Sequence, residues 1–456
     1  MRALLVLLAN LWILGRQTMR RLRRLLPWNR AKKRRTYVKL KLPAGVQLAS
    51  EGRQLGPFTL ASREPGAWWA FEHLIETLRK DDQVEGVYFR VEGSKLGLAE
   101  LSAVAERLGR LREAGKHIVC HLDQGMLNDY ALAACADEIL MTPPGTLYAF
   151  GLRIEMMSLG DAFSKIGLEA SFVHLGRFKT AMHRFTRRRP SAAQSVMMRQ
   201  LLHGLSDHVL GHLSERRKLP LPALHDALDR APISARDAQR LGLVDRLVYP
   251  DAIQETLEKT TPDALPIKLL TTQHYLAELA PPTLRQARRR PAVAVLHLKG
   301  TIMPDGMGQA TQLRAAITPK PVIRAIEALQ KDPTVKALVL HIDSPGGSAL
   351  ASDLIWRALR RLGEHKPIIA AMGAVAGSGG YYIAVGAHQI VAHPATITGS
   401  IGVIAGKISG GGLAHKLGVH LASLQQHAAA GFTSLTDPLS EQEAHNLRRD
   451  IRAFYR

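Results

Sequence analysis

Cysteine is almost missing from this chain. Cys120 and Cys135 are the two thiols among 456 residues, too few for a disulfide framework and without metal-ligand spacing. Both sit in apolar surroundings and read as buried structural thiols, and neither a metal nor a cofactor is expected. Membrane-length apolar runs are scarce as well. Residues 3–14, ALLVLLANLWIL, fall short of the roughly 20 residues a helix needs to span a bilayer. No small-residue cleavage site follows them, which argues against a removed signal peptide. Acidic residues are absent from the first forty positions, which hold twelve Lys or Arg, more than half of the net charge of +22. A basic end suits nucleic acid or anionic lipid, and its neighbours decide between them. Here leucines and arginines alternate between Trp12 and Trp28 directly after the apolar run, the pattern of a membrane-surface helix. The charge is not interleaved with exposed aromatics, so nucleic acid is not the expected partner. Residues 1–39 therefore read as a membrane-associating segment that binds lipids. The arginines on its C-terminal side favour a cytoplasmic main body by the positive-inside tendency.

What the chain does have is apolar material for two domains, at 46% hydrophobic residues, and an internal repeat. Residues 84–122 (VEGVYFRVEGSKLGLAELSAVAERLGRLREAGKHIVCHL) match residues 335–373 (VKALVLHIDSPGGSALASDLIWRALRRLGEHKPIIAAMG) at an offset of 251. The match resumes between residues 134–151 and 385–402. Each copy reads as a β-branched strand, a loop, an amphipathic helix and a second apolar strand. Buried-looking strands alternating with helices predict α/β domains with parallel sheets. The first spans residues 40–260 and the second 292–456. Residues 261–291 join them and end in the Pro- and Arg-rich APPTLRQARRRP. Roughly fifty residues that close the first copy have no counterpart, which makes the second C-terminally short.

The glycine-dense stretches lie in the second copy. HIDSPGGS at 341–348 runs from a strand into a loop, and AGSGGYY at 376–382 sets Ser378 between glycines where a strand turns into a helix. Glycines allow backbone N–H groups to converge as an oxyanion hole requires, and a helix beginning at the serine adds a favourable dipole. A serine nucleophile needs a base. His341, His388 and His393 are candidates for a Ser-His-Asp arrangement, but their places in strand and helix suit structural histidines better. The alternative is a lysine depleted of its proton by burial or by cationic neighbours. GRFKTAMHRF at 176–185 offers Lys179 among Arg177, Arg184, Arg187, Arg188 and Arg189. The two copies are complementary. At the repeat offset Ser378 faces Leu127, the Gly-Gly loop faces EGSKL at 92–96, and near Ala428 the second copy has no lysine to match Lys179. Each copy holds the half that the other lacks.

GRFKTAMHRF at 176–185, SPGG at 344–347, AGSGGYY at 376–382 and TGSIG at 398–402, in this order and spacing, together resemble peptidase family S49 in its tandem-repeat form, that of signal peptide peptidase A or protease IV. The resemblance covers the chain from about residue 40. It implies two tandem Clp-protease- and crotonase-like α/β domains of repeated ββα units. It also implies a Ser/Lys dyad with Ser378 as nucleophile and Lys179 as base. Gly347 and Gly379 would be the oxyanion N–H donors, and Ser400 would orient the lysine. The implied substrates are signal-peptide remnants or other apolar peptides at the bacterial inner membrane. The implied assembly is a homo-oligomeric ring, a tetramer by resemblance. Family members favour the outer face of the membrane, against the charge argument above, and sidedness stays open. Two rival readings are a catalytically inactive scaffold of the same fold and a crotonase-type acyl-CoA enzyme. The latter needs a carboxylate pair near the glycine loops, and none stands out.

Overall fold

The computed structural model describes residues 35–43, 53–55, 58–60, 67–91, 93–94, 96–259, 266–279, 291–305, 316–423, 425 and 427–455. The apolar and arginine-rich run of residues 1–34 and the Pro/Arg-rich stretch 280–290 lie outside the described residues. The chain is mixed α/β and forms two compact units. One comprises Met1–Gly151, His208–Val295 and Pro333–Lys336; the other comprises Leu152–Asp207, Leu296–Asp332 and Ala337–Arg456. Residues 152–207, which precede the repeat boundary in sequence, thus cluster with the second unit.

The first unit is built on a seven-stranded sheet in the order Ile267–Thr271, Arg35–Leu40, Val84–Val91, His117–Met126, Glu138–Tyr148 and Ile233–Ser234, with Arg246–Leu247 also paired to Glu138–Tyr148. Val84–Val91 and His117–Met126 run parallel, from Gly86 opposite His117 to Val91 opposite Leu122. Val84–Val91 is buried along nearly its whole length and His117–Met126 from Ile118 to Leu122, as expected of a parallel sheet covered on both faces. The helix Leu98–Glu113 buries Leu101, Val104, Leu108 and Leu111, whose spacing of three and four residues makes one continuous stripe. Residues 267–271, within the joining stretch 261–291, form an edge strand of this sheet, parallel to Arg35–Leu40. Ile267 packs into the core with Tyr37 and Leu257, an apolar contact that the neighbouring Pro/Arg-rich stretch obscures in sequence.

Where the repeat offset puts the Ser378 turn, the first unit has a carboxylate instead. Buried Asp129, in the helix Leu127–Ala133, accepts N–H bonds from Ser94 at 2.5 Å and from Met126 at 2.9 Å. Removing it orphans two amides. Asp129→Ala is expected to lower stability by about 1–3 kcal/mol, read as a shift of the denaturant midpoint at unchanged slope.

The sheet of the second unit runs Ala292–Lys299, Val335–Ser344, Ile368–Gly377, Gln389–Val391, with Ile397–Gly399 also on Ile368–Gly377. The helix Ala349–Gly363 is started by Ser348, whose side chain accepts from Ala351 N–H at 3.2 Å, a standard N-cap. It buries Ile355, Leu359 and Leu362. Beside this sheet, Glu169–Leu175 and Val403–Ser409 pair antiparallel, from Leu175 opposite Val403 to Glu169 opposite Ser409. The helix Glu441–Tyr455 packs against both of these strands. This pairing sets the loop after Leu175 beside the loop before Val403, and the candidate site lies there.

Candidate active site

Ser378 follows the last residue of the strand Ile368–Gly377 and precedes the helix Gly379–Ala384. Its backbone has φ 52° and ψ −115°. A non-glycine residue with positive φ costs of order 1–3 kcal/mol and persists only when its surroundings over-determine it. Here they do. Ser378 N–H donates to Gly399 O at 2.8 Å. On its other side stands Gly346, where a Cβ would lie 2.7 Å from Ser378 Cβ and from Gly379 N. Ser400 shares the same φ of 52°, and Lys218 is the one other non-glycine residue with positive φ among the described residues. Strain is therefore concentrated at one place, around a half-buried hydroxyl.

Lys179 arrives from the opposite loop. Gly176, at φ 102°, turns the chain, and Lys179 N–H closes the turn on Gly176 O at 3.1 Å. Buried Thr180, Met182 and His183 hold the following residues down, and the Phe185 ring stacks on Phe163 and Phe172. The side chain is 6% exposed. Its Nζ lies 2.8 Å from Ser378 Oγ, 2.7 Å from Ser400 O and 3.1 Å from Ser400 Oγ. No carboxylate lies within 4 Å of it among the described residues. Burial disfavours the ammonium form and lowers the lysine's pKa below its ordinary value. The sequence argument gave that role to the arginines as well. Their side chains are exposed, water screens them, and burial is the cause that acts.

Gly402 makes the approach possible. At φ 141° it passes so close that a Cβ would lie 2.4 Å from Leu175 O and 3.2 Å from Lys179 Cβ. The residues of TGSIG thus do two things: Ser400 binds the amine, and Gly402 leaves room for its stem. Sequence reasoning singled out Ser400 and missed Gly402 and Gly346, although both stand inside the motifs.

The expected oxyanion donors are also together. A Cβ on Gly379 would stand 3.4 Å from Gly347 N and 2.4 Å from Ser352 Oγ, so the Gly347 amide borders Gly379 where no side chain fits. Among the described residues neither amide has a hydrogen-bond acceptor. Gly347 is held by an isolated parallel bridge to Ile302, in which Ile302 N–H donates to Gly346 O and Ser348 N–H to Ile302 O, each at 2.9 Å. The histidines are engaged elsewhere. The His341 ring stacks on His297 with Nδ1 atoms 2.7 Å apart, and burial pushes its pKa down to about 4. His388 Nδ1 accepts from Ile368 N–H and His393 Nδ1 from Ala395 N–H.

A family model of peptidase family S49 matches residues 110–262 and 360–456, more than half of the chain. The chain belongs to peptidase family S49. The second match includes Ser378 and Ser400, and the first includes Lys179. Among relatives, the chain is 27% identical over 377 residues to the chloroplastic serine protease SPPA of Arabidopsis thaliana, covering 82% of this chain and 56% of that one. It is 29% identical over 386 residues to protease 4 of Haemophilus influenzae, covering 80% and 61%. The chain thus spans little more than half the length of these S49 relatives. Among solved structures, a membrane-bound stomatin-specific protease is 26% identical over 23% of this chain and 44% of its own, with a TM-score of 0.18.

Proposed function

We propose that this S49 chain hydrolyses peptide bonds through an acyl-enzyme on Ser378, with Lys179 as general base. The observation that carries the proposal is the position of Nζ, 2.8 Å from Ser378 Oγ and within 2.7 Å of Ser400 O and 3.1 Å of Ser400 Oγ. As an ammonium it donates to all three. Once neutral it keeps two N–H donors for Ser400, and its lone pair then faces the Ser378 hydroxyl. The lysine takes the hydroxyl proton as Oγ attacks the scissile carbonyl. The amides of Gly347 and Gly379 hold the negative oxygen. The ammonium then protonates the leaving amine, and the regenerated amine draws a proton from water as the ester is hydrolysed. Each proton taken is returned, and no cofactor is required. The word "serine" in one relative's name supports the choice of nucleophile.

The substrates are apolar peptides, signal-peptide remnants among them, at a membrane that the chain meets through the basic run of residues 1–34, since residues 35–39 of the segment read from sequence belong to the strand Arg35–Leu40. Phe178 and Ile401, both exposed and next in sequence to Lys179 and Ser400, suit such substrates. The two units are read as tandem Clp-protease- and crotonase-like repeats that assemble as a homo-oligomer. In support, strand, helix, strand, helix and strand follow in the same order over residues 84–148 and 335–391. Among the described residues no helix is long and apolar enough to cross a membrane.

The pH dependence tests the base. The amine must be neutral, so kcat/KM for an apolar peptide is expected to rise with pH and level off. Its midpoint should fall below the 10.5 of an unperturbed lysine, because burial lowers the pKa. A rate that stays flat or falls through this range would remove Lys179 as the base.

A further inference from the structure

We propose that the outer face of the Lys179 loop docks on an anionic lipid surface. The loop has two faces, set by alternation within residues 177–189. Lys179, Thr180, Met182 and His183 point inward and are buried, whereas Arg177, Arg184, Arg187 and Arg189 are exposed. Arg188 is paired with Asp161 at 2.7 Å. The other four have no acidic partner within 4 Å among the described residues. The Arg177 and Arg184 guanidinium groups lie over the rings of Phe178 and Phe185, contacts that leave their charge uncompensated. Four arginines without an acidic partner among the described residues, on a segment whose Lys179, Thr180, Met182 and His183 are buried, make a cationic surface.

Apolar side chains stand among them. Leu159 N–H donates to Arg184 O at 2.6 Å and Gly160 N–H to Arg187 O at 3.2 Å, which straps the segment carrying Met156 and Met157 against the arginines. At the other end, a Cβ on Gly176 would lie 3.1 Å from Ile401 O, so Ile401 neighbours Arg177. Met157 is 61% exposed, Ile401 56% and Phe178 46%. A soluble polyanion gains from the arginines alone. A lipid surface gains from both, since headgroups meet the cations and the acyl boundary takes the apolar side chains. The mixture favours lipid. On the peptidase reading above, such docking brings the Ser378–Lys179 pair to the surface where apolar peptide fragments collect.

The basic run of residues 1–34 is expected to bind vesicles too, so bulk sedimentation does not separate the two surfaces, and a local measurement is needed. The test is amide hydrogen exchange of the full chain with vesicles of phosphatidylcholine and phosphatidylglycerol in equal parts, and with vesicles of phosphatidylcholine alone. Exchange in residues 153–160 and 177–190 is expected to slow several-fold with the anionic vesicles only. The protection should vanish at about 1 M salt, where the screening length falls to about 3 Å. It should also vanish in the variant R177Q/R184Q/R187Q/R189Q. That variant should hydrolyse a small soluble ester as the wild type does, so loss of docking is read separately from loss of catalysis. Unchanged exchange in these segments while residues 1–34 become protected would overturn the proposal, as would equal protection by neutral vesicles. Equal protection by polyglutamate or an oligonucleotide would replace the lipid surface with a general polyanion site.

Discussion

Lys179→Met is expected to reduce apolar-peptide hydrolysis by about 10³- to 10⁴-fold, the upper range of what a positioned general base contributes, without unfolding the chain. Methionine keeps most of the apolar stem of the lysine, so the buried space past Gly402 stays largely filled. The amine is lost, and with it the base beside Ser378 Oγ and the donors to Ser400 O and Ser400 Oγ. Lys179→Arg is not a conservative control, because a guanidinium remains charged at any accessible pH and accepts no proton. Ser378→Ala should fall at least as far, since the covalent route disappears with the hydroxyl. The buried lysine also makes stability depend on pH. The folded-state pKa of Lys179 is depressed relative to the unfolded chain, so between the two pKa values the unfolded state binds more protons. The lysine therefore weakens the fold at neutral pH, and that penalty fades as pH rises through the folded pKa toward 10.5. Lys179→Met removes this pH-dependent part, so the rise of the denaturant midpoint from neutral pH toward pH 10.5 is expected to be smaller in the variant than in wild type. Full activity in Lys179→Met would end the dyad mechanism.

Gly402→Ala should be almost as damaging, by a different route. The added methyl has nowhere to go: Leu175 O would be 2.4 Å away and the lysine stem 3.2 Å away, at a φ of 141° that disfavours any side chain. The backbone must move, and Lys179 with it. A displacement of about 1 Å at a reacting group costs on the order of 100-fold in rate, and the backbone strain adds about 1–3 kcal/mol of destabilisation. Gly418→Ala is the control. Its φ of 74° is also positive, but a Cβ there meets nothing within 4 Å, so it carries the conformational cost without the collision. Rate and denaturant midpoint, measured for both variants, separate the two contributions. If Gly402→Ala keeps wild-type kcat/KM, the close passage of strand and lysine does not matter for the chemistry.

How much of this could be read from the sequence depends on whether the determinant is local. The Ser378 turn was readable because a strand, a glycine pair and a helix start fall within ten residues. Lys179 was readable through its motif, but not the cause of its depressed pKa. A run of arginines looks like a cationic neighbourhood in one dimension. In the fold the helical turn at His183–Thr186 sends the arginines outward and the lysine inward. Gly402 and Gly346 were missed because a glycine's importance lies in what passes beside it, and those neighbours come from distant parts of the chain. The same non-locality hid the edge strand Ile267–Thr271 and the membership of residues 152–207 in the second unit. Both are decided by pairing across long separations, which local periodicity does not encode.

The antiparallel pairing of Glu169–Leu175 with Val403–Ser409 also has a temporal meaning. Lys179 and Ser400 are 221 residues apart in the chain. At about 5–20 residues per second of synthesis, the lysine emerges roughly ten to forty seconds before the loop that receives its amine exists. Through that interval the nascent chain has no assembled dyad, even after Ser378 has been made. On the proposed mechanism the chain is therefore inactive until Val403–Ser409 has been made and paired with Glu169–Leu175.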